Sequence, residues 1–309
     1  MTVVVLAGGV GGAKLALGVY RVMDPNDLTI IANTGDDIVL HGLHISPDPD
    51  TLIYTLAGVA NPETGWGLRE ESFRMLEGLK AYGRPTWFNL GDRDLATHIH
   101  RTAMMAEGAT LSESLDSIRV ALGVKARILP MSDDPVPTMI DTADAHMHLQ
   151  DYFVRLKCVP EVRAITFKDV AYARPAPGVL DALAGADGIV IAPSNPLISV
   201  EPILAVPGIR EALRARRKDI VAISPLVGGK SLKGPSDKMM VQLGFDASAA
   251  GVAHLYSDFC GTMVVDVSDA GAQPALAALN MRTVACSTIM RTLEDKERLA
   301  RNVLRIFGT

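Results

Sequence analysis

The sequence has few cysteines, few aromatic residues and no long apolar run. Its three cysteines, Cys158, Cys260 and Cys286, are far apart, so they form neither a zinc spacing nor an even disulfide set. No segment approaches the roughly 20 apolar residues of a membrane span. The N-terminal apolar run is short and lacks the basic flank of a signal peptide. We therefore expect a reduced, cytoplasmic protein with no membrane partner.

Charge and length narrow the class of protein further. The net charge is −5 at pH 7 and no basic stripe is present, which argues against nucleic acid as a partner. The chain has 309 residues, of which 48% are hydrophobic, enough for a sizeable buried core. We expect one α/β domain over residues 1–309.

Short apolar runs alternate with helical spacing along most of the chain. Leu15, Val19 and Val22 share one face of a helix that follows the first apolar run. This β-α-β start predicts a Rossmann-like, doubly wound, mainly parallel sheet. Buried strands are predicted at residues 2–7, 28–34, 86–91, 126–131, 188–193, 219–224, 263–268 and 282–287.

Two stretches depart from this alternation. Residues from about 51 to 123 read mostly as helix, and Thr110 with Glu113 has the spacing of a capping box. Residues from about 144 to 168 alternate like paired, partly exposed strands. The sequence thus predicts a helical insertion and a small β excursion, with an amphipathic helix closing the chain.

The glycines at residues 8–12 follow the first predicted strand and open its helix. Backbone N–H groups and the helix dipole favour an anion there, and glycine lets a phosphate approach closely. Gly9, Gly11, Gly12 and Lys14 are the candidate phosphate-binding residues. A tight turn without a ligand is the alternative, because a lone glycine loop is weak support for a site.

Two common phosphate motifs do not fit this loop. Lys14 follows Ala13 and precedes Leu15, so the G-x-x-x-x-G-K-[ST] pattern is absent. In the dinucleotide pattern G-x-G-x-x-G the third glycine would fall on Lys14. The second strand also ends in Asn33 and Thr34 rather than in an acid for a ribose. A phosphate is therefore expected, but not an ordinary NAD site.

Acidic pairs follow several predicted strands or turns. Loops after parallel strands gather at one sheet edge, where carboxylates beside a phosphate can hold Mg²⁺ or receive a hydroxyl proton. Aspartate also caps helices and favours turns, which is the structural alternative. The pairs are Asp36 with Asp37, Asp48 with Asp50, Asp92 with Asp94, and Asp133 with Asp134.

Other polar groups at predicted strand ends could bind a ligand. Arg93 could clamp a phosphate or pair with a neighbouring acid, and Asp94 and His98 would share a helix face. The two H-x-H pairs lack a third ligand, so zinc is not expected. Loops with turn-forming residues add four candidates for nucleotide contacts, Ser194, Asn195, Gly228 and Gly229.

Taken in order, these motifs resemble the CofD/FbiA family of 2-phospho-L-lactate transferases, which act in the synthesis of the deazaflavin coenzyme F-420. The likeness spans residues 6 to about 237. It is carried by the segments LAGGVGGAKL, NTGDD, ISPDPDT, LGDRDLATHIHR, ILPMSDDPVPT, APSNP and SPLVGG.

The resemblance implies a reaction and a set of roles. The donor would be a guanylylated three-carbon phosphoacid and the acceptor 7,8-didemethyl-8-hydroxy-5-deazariboflavin (FO), with release of GMP and a requirement for Mg²⁺. Asp50 and Asn89 would contact FO, and Asp50 would receive or orient the hydroxyl proton. Arg93 would bind donor phosphate, Asp36 or Asp37 the metal, and relatives imply a homodimer.

Two other functions compete with this interpretation. Nucleotide-sugar-binding regulators of the YvcK type share the fold, but this sequence continues DDIVLHGLHISPDPDT and contains LGDRD, which favours the transferase. An NAD(P)-dependent oxidoreductase is disfavoured by Asn33 and by the incomplete glycine pattern. The identity of the donor acid, whether phospholactate, phosphoenolpyruvate or 3-phosphoglycerate, is left open.

Overall fold

The computed structural model describes residues 1–308, and their strands form one large sheet and three small ones. In chain order the strands are β1 (Val3–Ala7), β2 (Leu28–Ala32), β3 (Ile38–Leu40), β4 (Leu43–Ile45), β5 (Arg127–Pro130), β6 (Thr138–Asp141), β7 (His146–His148), β8 (Ala164–Phe167), β9 (Gly188–Ile191), β10 (Ile220–Ile223), β11 (Leu226–Val227), β12 (Lys230–Ser231), β13 (Thr262–Val265) and β14 (Arg282–Ala285).

The α-helices connect and cover these strands. They are α1 (Gly9–Val22), α2 (Pro47–Leu56), α3 (Arg74–Ala81), α4 (Asp94–Ala106), α5 (Leu111–Ala121), α6 (Val179–Gly185), α7 (Glu201–Ala205), α8 (Ile209–Arg214), α9 (Ser236–Gln242), α10 (Ala249–Tyr256), α11 (Gln273–Ala278) and α12 (Leu293–Leu304).

The large sheet has seven strands in the order β14-β13-β10-β9-β1-β2-β5, and every neighbouring pair is parallel. From β1 the chain first adds β2 and β5 on one side, and later adds β9, β10, β13 and β14 on the other. The carboxyl ends of β1 and β9 therefore flank the point where the strand order reverses, which is where open α/β sheets bind ligands. The predicted fold class is confirmed.

Both faces of the sheet are buried, as a doubly wound fold requires. Along β1 the side chains of Val3 and Val5 enter one core, which α1, α2, α5 and α12 cover. The side chains of Val4 and Leu6 enter the other core, beneath helices α6 to α11 and the small sheet of β6, β7 and β8. Two separate cores explain why the strands read as continuous apolar runs.

The segment between β2 and β5 holds the β3–β4 hairpin and helices α2 to α5. The predicted capping box is confirmed, since Thr110 accepts from the Glu113 N–H and the Glu113 carboxylate accepts from the Thr110 N–H. The strand predicted at residues 86–91 is wrong. These residues form a loop, because Leu90 packs with Ile45 and Leu76 in a small separate core instead of joining the sheet.

The β excursion is a three-stranded antiparallel sheet in the order β7-β6-β8. It begins at Thr138, earlier than the pattern indicated, and a turn of π-helix at Asp151–Arg155 interrupts it. Within residues 1–308, no helix combines the length and apolarity needed to cross a bilayer.

Candidate functional site

A cavity of about 510 Å³ lies at the carboxyl edge of the large sheet, where the loops after β1 and β9 meet α2 and α4. Its volume is typical of a small-molecule site. Of the thirteen residues to which the sequence analysis gave a specific binding or catalytic role, eight line it, namely Gly9, Gly11, Lys14, Asp36, Asp50, Asn89, Ser194 and Asn195. Asp48, Asp94 and His98, named there as further candidates, line it too. Five others are not in its lining, namely Gly12, Asp37, Arg93, Gly228 and Gly229.

The glycine loop is required by close packing at the start of α1. A Cβ on Gly11 would lie 2.4 Å from the carbonyl oxygen of Pro193, and a Cβ on Gly12 would lie 2.7 Å from the Ser194 hydroxyl. Gly9 has a φ of +63°, which favours glycine. These glycines let α1 begin against the loop after β9, with its first turn facing the cavity.

Ser194 and Asn195 hold the opposite wall in place. The buried Ser194 hydroxyl donates to the Gly8 carbonyl at 2.7 Å, while the Asn195 side chain accepts from the Leu197 N–H at 2.9 Å. These hydrogen bonds hold the loop after β9 against the start of α1. Residues 8–12, Ser194 and Asn195 together form the glycine cradle. The sequence indicated both residues as candidates for nucleotide contacts, but it did not indicate these hydrogen bonds within the protein.

Two buried carboxylates stand beside this cradle. The Asn33 amide nitrogen lies 2.9 Å from Asp48 Oδ2 and 3.5 Å from Asp36 Oδ1, so both acids share one donor. The Gly35 N–H donates to the Asn33 carbonyl oxygen at 2.9 Å, which fixes the orientation of that amide. Asp48 also accepts from the Gly9 N–H, so its carboxylate reaches the first turn of α1.

Burial and crowding make this acidic pair hard to ionise. Burial, and then the charge of Asp48, raise the pKa of Asp36 well above its ordinary value. Burial also raises the pKa of Asp48 to about 6, although its hydrogen bonds with Asn33 and Gly9 oppose the shift. A cation bound here would favour the ionised form of both acids.

Asp37 lies outside the cavity, next to the β3–β4 hairpin. Its Oδ2 atom accepts from the Ser46 hydroxyl at 2.7 Å and lies 3.0 Å from His44 Nε2. Its Oδ1 atom is buried without a hydrogen-bond partner. Of the two acids predicted to hold a metal, Asp36 faces the cavity and Asp37 supports the hairpin.

Asp50 projects from α2 into the cavity and pairs with Arg101 of α4. The Arg101 guanidinium is fully buried and donates to Asp50 Oδ1. Asp50 Oδ2 is also buried and has no hydrogen-bond partner. Burial raises the pKa of Asp50, while the adjacent positive charge of Arg101 acts in the opposite direction. The carboxylate is thus anchored through Oδ1, while Oδ2 is buried beside His98, 3.7 Å from its Nδ1 atom.

His98 extends the Asp50 site toward Asp94 and Tyr54. Its Nδ1 atom lies 3.7 Å from Asp50 Oδ2, and its Nε2 atom lies 3.3 Å from Asp94 Oδ2. The Tyr54 hydroxyl donates to Asp94 Oδ1 at 2.5 Å. Burial acts to raise the pKa of Asp94, but the interactions with His98 and Tyr54 outweigh it and lower the pKa. Asp94 and His98 share a helix face as predicted, with His98 buried and Asp94 partly exposed.

Arg93 points away from the cavity, along the loop that precedes α3. Its guanidinium donates to the Arg69 carbonyl at 2.8 Å and is about half exposed, with 53% of the side-chain surface accessible. Its neighbour Asp92 caps α3 by accepting from the N–H groups of Arg74 and Met75. The predicted phosphate role of Arg93 stays a prediction, and the structure shows it outside the cradle.

The remaining predicted positions shape turns. Gly228 and Gly229 have φ values of +58° and +72°, and the Gly228 N–H donates to Asp269. Asp133 accepts from the Ser112 N–H and hydroxyl at the start of α5, and Asp134 accepts from the Arg174 N–H. Capping and turn formation account for these acids, as the structural alternative proposed.

The part of the chain that the structure describes contains no group of three or more histidine, cysteine or acidic side chains placed to hold a metal. Two converging carboxylates, Asp36 and Asp48, are the donor set that the cavity offers. Mg²⁺ sites of enzymes commonly take one or two carboxylates and complete their coordination with substrate phosphates and water.

A glycine cradle at the start of a helix, beside buried carboxylates at the strand-order reversal, defines a class of α/β proteins that bind phosphorylated small molecules. The family model described as 2-phospho-L-lactate transferase CofD matches residues 3–299. The chain belongs to this family, as its motifs predicted. It is therefore a transferase of coenzyme F-420 biosynthesis that handles phospholactate or phosphoenolpyruvate.

Curated relatives cover nearly the whole chain. A phosphoenolpyruvate transferase of Streptomyces griseus is 43% identical over 99% of this chain and 98% of its own. A 2-phospho-L-lactate transferase of Methanosarcina mazei is 37% identical over 98% of this chain and 100% of its own. Family membership favours the transferase over the regulator and the oxidoreductase.

Solved structures support the fold. A crystal structure of a upf0052-family protein from Bacillus halodurans has a TM-score of 0.66 and 17% identity, and the match covers 98% of each chain. At this level of identity the likeness concerns the architecture alone.

Proposed function

We propose that this protein transfers a phosphoenolpyruvyl or phospholactyl unit from a guanosine-diphosphate-linked donor to the terminal hydroxyl of FO. The hydroxyl oxygen would bond to the phosphorus that carries the three-carbon acid. The bond from that phosphorus to the bridging oxygen would break, and GMP would leave. One observation carries the proposal: a single cavity is lined both by the glycine cradle and by Asp50, whose Oδ2 atom has no hydrogen-bond partner.

The donor would bind at the start of α1. Phosphate oxygens would accept from backbone N–H groups of the glycine loop, where glycine allows close approach and the helix dipole favours negative charge. Lys14 lines the same part of the cavity and would add a positive charge. Little covalent work is then left to the protein, because phosphoryl transfer depends on positioning and charge stabilisation.

The acceptor would bind on the α2 and α4 side. Asp50 Oδ2 would accept the proton of the attacking hydroxyl, while Arg101 keeps the carboxylate oriented through Oδ1. Asn89 lies on the same wall, together with Tyr54 and Phe88. Aromatic side chains of this kind suit the flat ring system of a deazaflavin.

Mg²⁺ fits the acidic pair beside the cradle. Asp36 and Asp48 would hold it, because burial and mutual repulsion oppose ionisation of both carboxylates and a bound cation would offset both effects. When bound, Mg²⁺ would offset negative charge on the phosphoryl oxygens. Asp37, with its carboxylate engaged by the hairpin, would support this site from outside the cavity.

The test combines purified protein, FO and Mg²⁺ with each guanylylated donor in turn, carrying phosphoenolpyruvate, 2-phospholactate or 3-phosphoglycerate. Mass spectrometry identifies the FO adduct and GMP. Asp50→Asn should lose turnover by a factor of about 10²–10⁴, as removal of a general base does. Asp116→Asn, on the exposed face of α5, is the matched control.

The relatives include both phosphoenolpyruvate and 2-phospho-L-lactate transferases. The separate reactions with each donor therefore identify which acid this protein transfers. Discrimination between such similar donors should be moderate. Product from no donor would refute the proposed reaction. Removal of Mg²⁺ by a chelator should abolish turnover, and a homodimer is expected in sedimentation experiments.

A further inference from the structure

Two lysine side chains reach the cradle without a carboxylate partner. Lys14 and Lys233 both line the cavity. Among residues 1–308, Lys230 is the lysine that has an acidic side chain within salt-bridge distance, at 4.0 Å from Asp237. Two positive charges without acidic partners, next to a glycine loop in one cavity, favour the binding of an anion there.

Lys233 lies on the loop between β12 and α9 and reaches across to the loop before α3. Its ammonium donates to the Thr64 carbonyl. It lies 3.6 Å from the position that a Cβ on Gly65 would occupy, and that Cβ would be 2.7 Å from the Val10 side chain. Three loops therefore converge here, since Val10 belongs to the glycine loop itself.

The two ammonium groups affect each other through space. Burial, and then the positive charge of Lys14, lower the pKa of Lys233. The Thr64 carbonyl is a neutral acceptor and does not balance that charge. A phosphate oxygen would offer Lys233 a charged acceptor in place of the neutral one, and hydrogen bonds between charged groups are stronger.

We propose that Lys14 and Lys233 form a cation pair that binds the diphosphate of the nucleotide donor, opposite the acidic pair of Asp36 and Asp48. Lys233 exchanges the Thr64 carbonyl for a phosphate oxygen when the donor binds. This inference rests on the proposed function for the identity of the donor. It adds a binding residue four positions after Gly229, in a loop where the sequence pointed to the two glycines and not to this lysine.

The experiment measures affinity by isothermal titration calorimetry with three probes: GDP, guanosine and inorganic pyrophosphate. Lys233→Met should weaken GDP and pyrophosphate about 10- to 100-fold, as expected for loss of a hydrogen bond between charged groups. Guanosine has no phosphate, so its affinity should change by less than twofold. Lys233→Arg should restore much of the lost affinity.

Lys230→Met is the matched control, because Lys230 lies three residues away and is 82% exposed. It should bind all three probes like the wild type. Equal affinity of Lys233→Met and wild type for GDP and pyrophosphate would overturn the cation pair. So would an equal loss for guanosine, which would indicate a loop-shaping role.

Binding of GDP and pyrophosphate to the wild type, compared with Lys233→Met, distinguishes a failure of this inference from a failure of the proposed function. Pyrophosphate binding that depends on Lys233, without GDP binding, would support the cation pair and refute the guanine nucleotide donor. Binding of neither anion would overturn the cation pair. Melting temperatures of all variants show whether a loss of affinity reflects unfolding.

Discussion

Replacing Arg101 by methionine is expected to destabilise the protein by about 3–5 kcal/mol, the usual cost of breaking a buried ion pair. The variant keeps the volume of the side chain but leaves Asp50 buried without its counter-ion. Asp50 Oδ2 already lacks a hydrogen-bond partner, and the pair of Arg101 and Asp50 is almost completely removed from solvent. His98, with Nδ1 3.7 Å from Asp50 Oδ2, is the neighbouring group that can offset part of the lost charge.

The reverse change, Asp50→Asn, should cost less, about 3 kcal/mol. The guanidinium of Arg101 keeps its hydrogen bond to the His44 carbonyl at 3.2 Å, and the carboxylate of Asp94 also favours its charge. In the double variant no unpaired charge remains. Its loss of stability should therefore be smaller than the sum of the two single losses by about 2 kcal/mol.

Urea unfolding followed by circular dichroism measures all four proteins of this cycle. The matched control is the exposed pair of Arg155 and Asp151, which are 2.7 Å apart with 46% and 28% of their side chains accessible. Its single variants, Arg155→Met and Asp151→Asn, should each change stability by less than about 1 kcal/mol. Additivity within about 0.5 kcal/mol for Arg101 and Asp50 would refute a strongly coupled buried pair.

Three further predictions concern the acidic pair, the cradle and the helical insertion. The folded-state pKa of Asp48 is raised from 3.8 to about 6, so its contribution to stability is complete below pH 3.8 and is lost as the pH rises through 6, about 3 kcal/mol in all. Without divalent cations, Asp48→Asn should make the free energy of unfolding fall less between pH 4.5 and 7.5, and an unchanged slope would contradict this. Gly11→Ala should cost about 1–3 kcal/mol, because its Cβ would lie 2.4 Å from the Pro193 carbonyl, whereas Gly78→Ala, with open space in α3, should be neutral or stabilising in the same urea assay. Thr110→Ala should cost about 1 kcal/mol and speed hydrogen exchange in the first turn of α5, and unchanged exchange would count against the observed cap.

The fold could be predicted because the pattern of a parallel sheet is local. Each buried strand is a short apolar run between turn residues, and every such run except the one at residues 86–91 became a strand of the large sheet. That exception contains Phe88 and Leu90, which pack in a small core between the hairpin and α3. Composition alone could not distinguish this core from the sheet.

Part of the candidate site was also visible in the sequence. The glycine loop follows the first predicted strand, and Asp50 lies in the segment ISPDPDT. The order of these segments is that of the family, and both line the cavity. Arg101 was missed because its importance depends on its ion pair with Asp50 of α2, which forms only when α4 packs against α5 and β4 in the folded chain and which no local pattern encodes. Its position one turn after His98, at the end of LGDRDLATHIHR, was the available signal.

Charged residues between turn-forming residues were the least predictable. Arg93 and Asp94 are adjacent, yet the first points to the Arg69 carbonyl and the second to Tyr54. The start of α4 lies between them and rotates their side chains apart. A pattern of acids and bases could name this segment as important without saying which side chain faces the cavity.

The segment between β2 and β5 supplies one whole wall of the cavity, including Asp50, Tyr54, Asn89 and His98, while the glycine cradle belongs to the sheet. A single continuous insertion can accumulate changes without disturbing the strands that precede and follow it. Evolution could therefore exchange the molecule that receives the transferred group while retaining the means of holding the nucleotide. A chimera that carries this insertion from a relative with a different acceptor would test whether the insertion sets acceptor specificity independently of nucleotide binding.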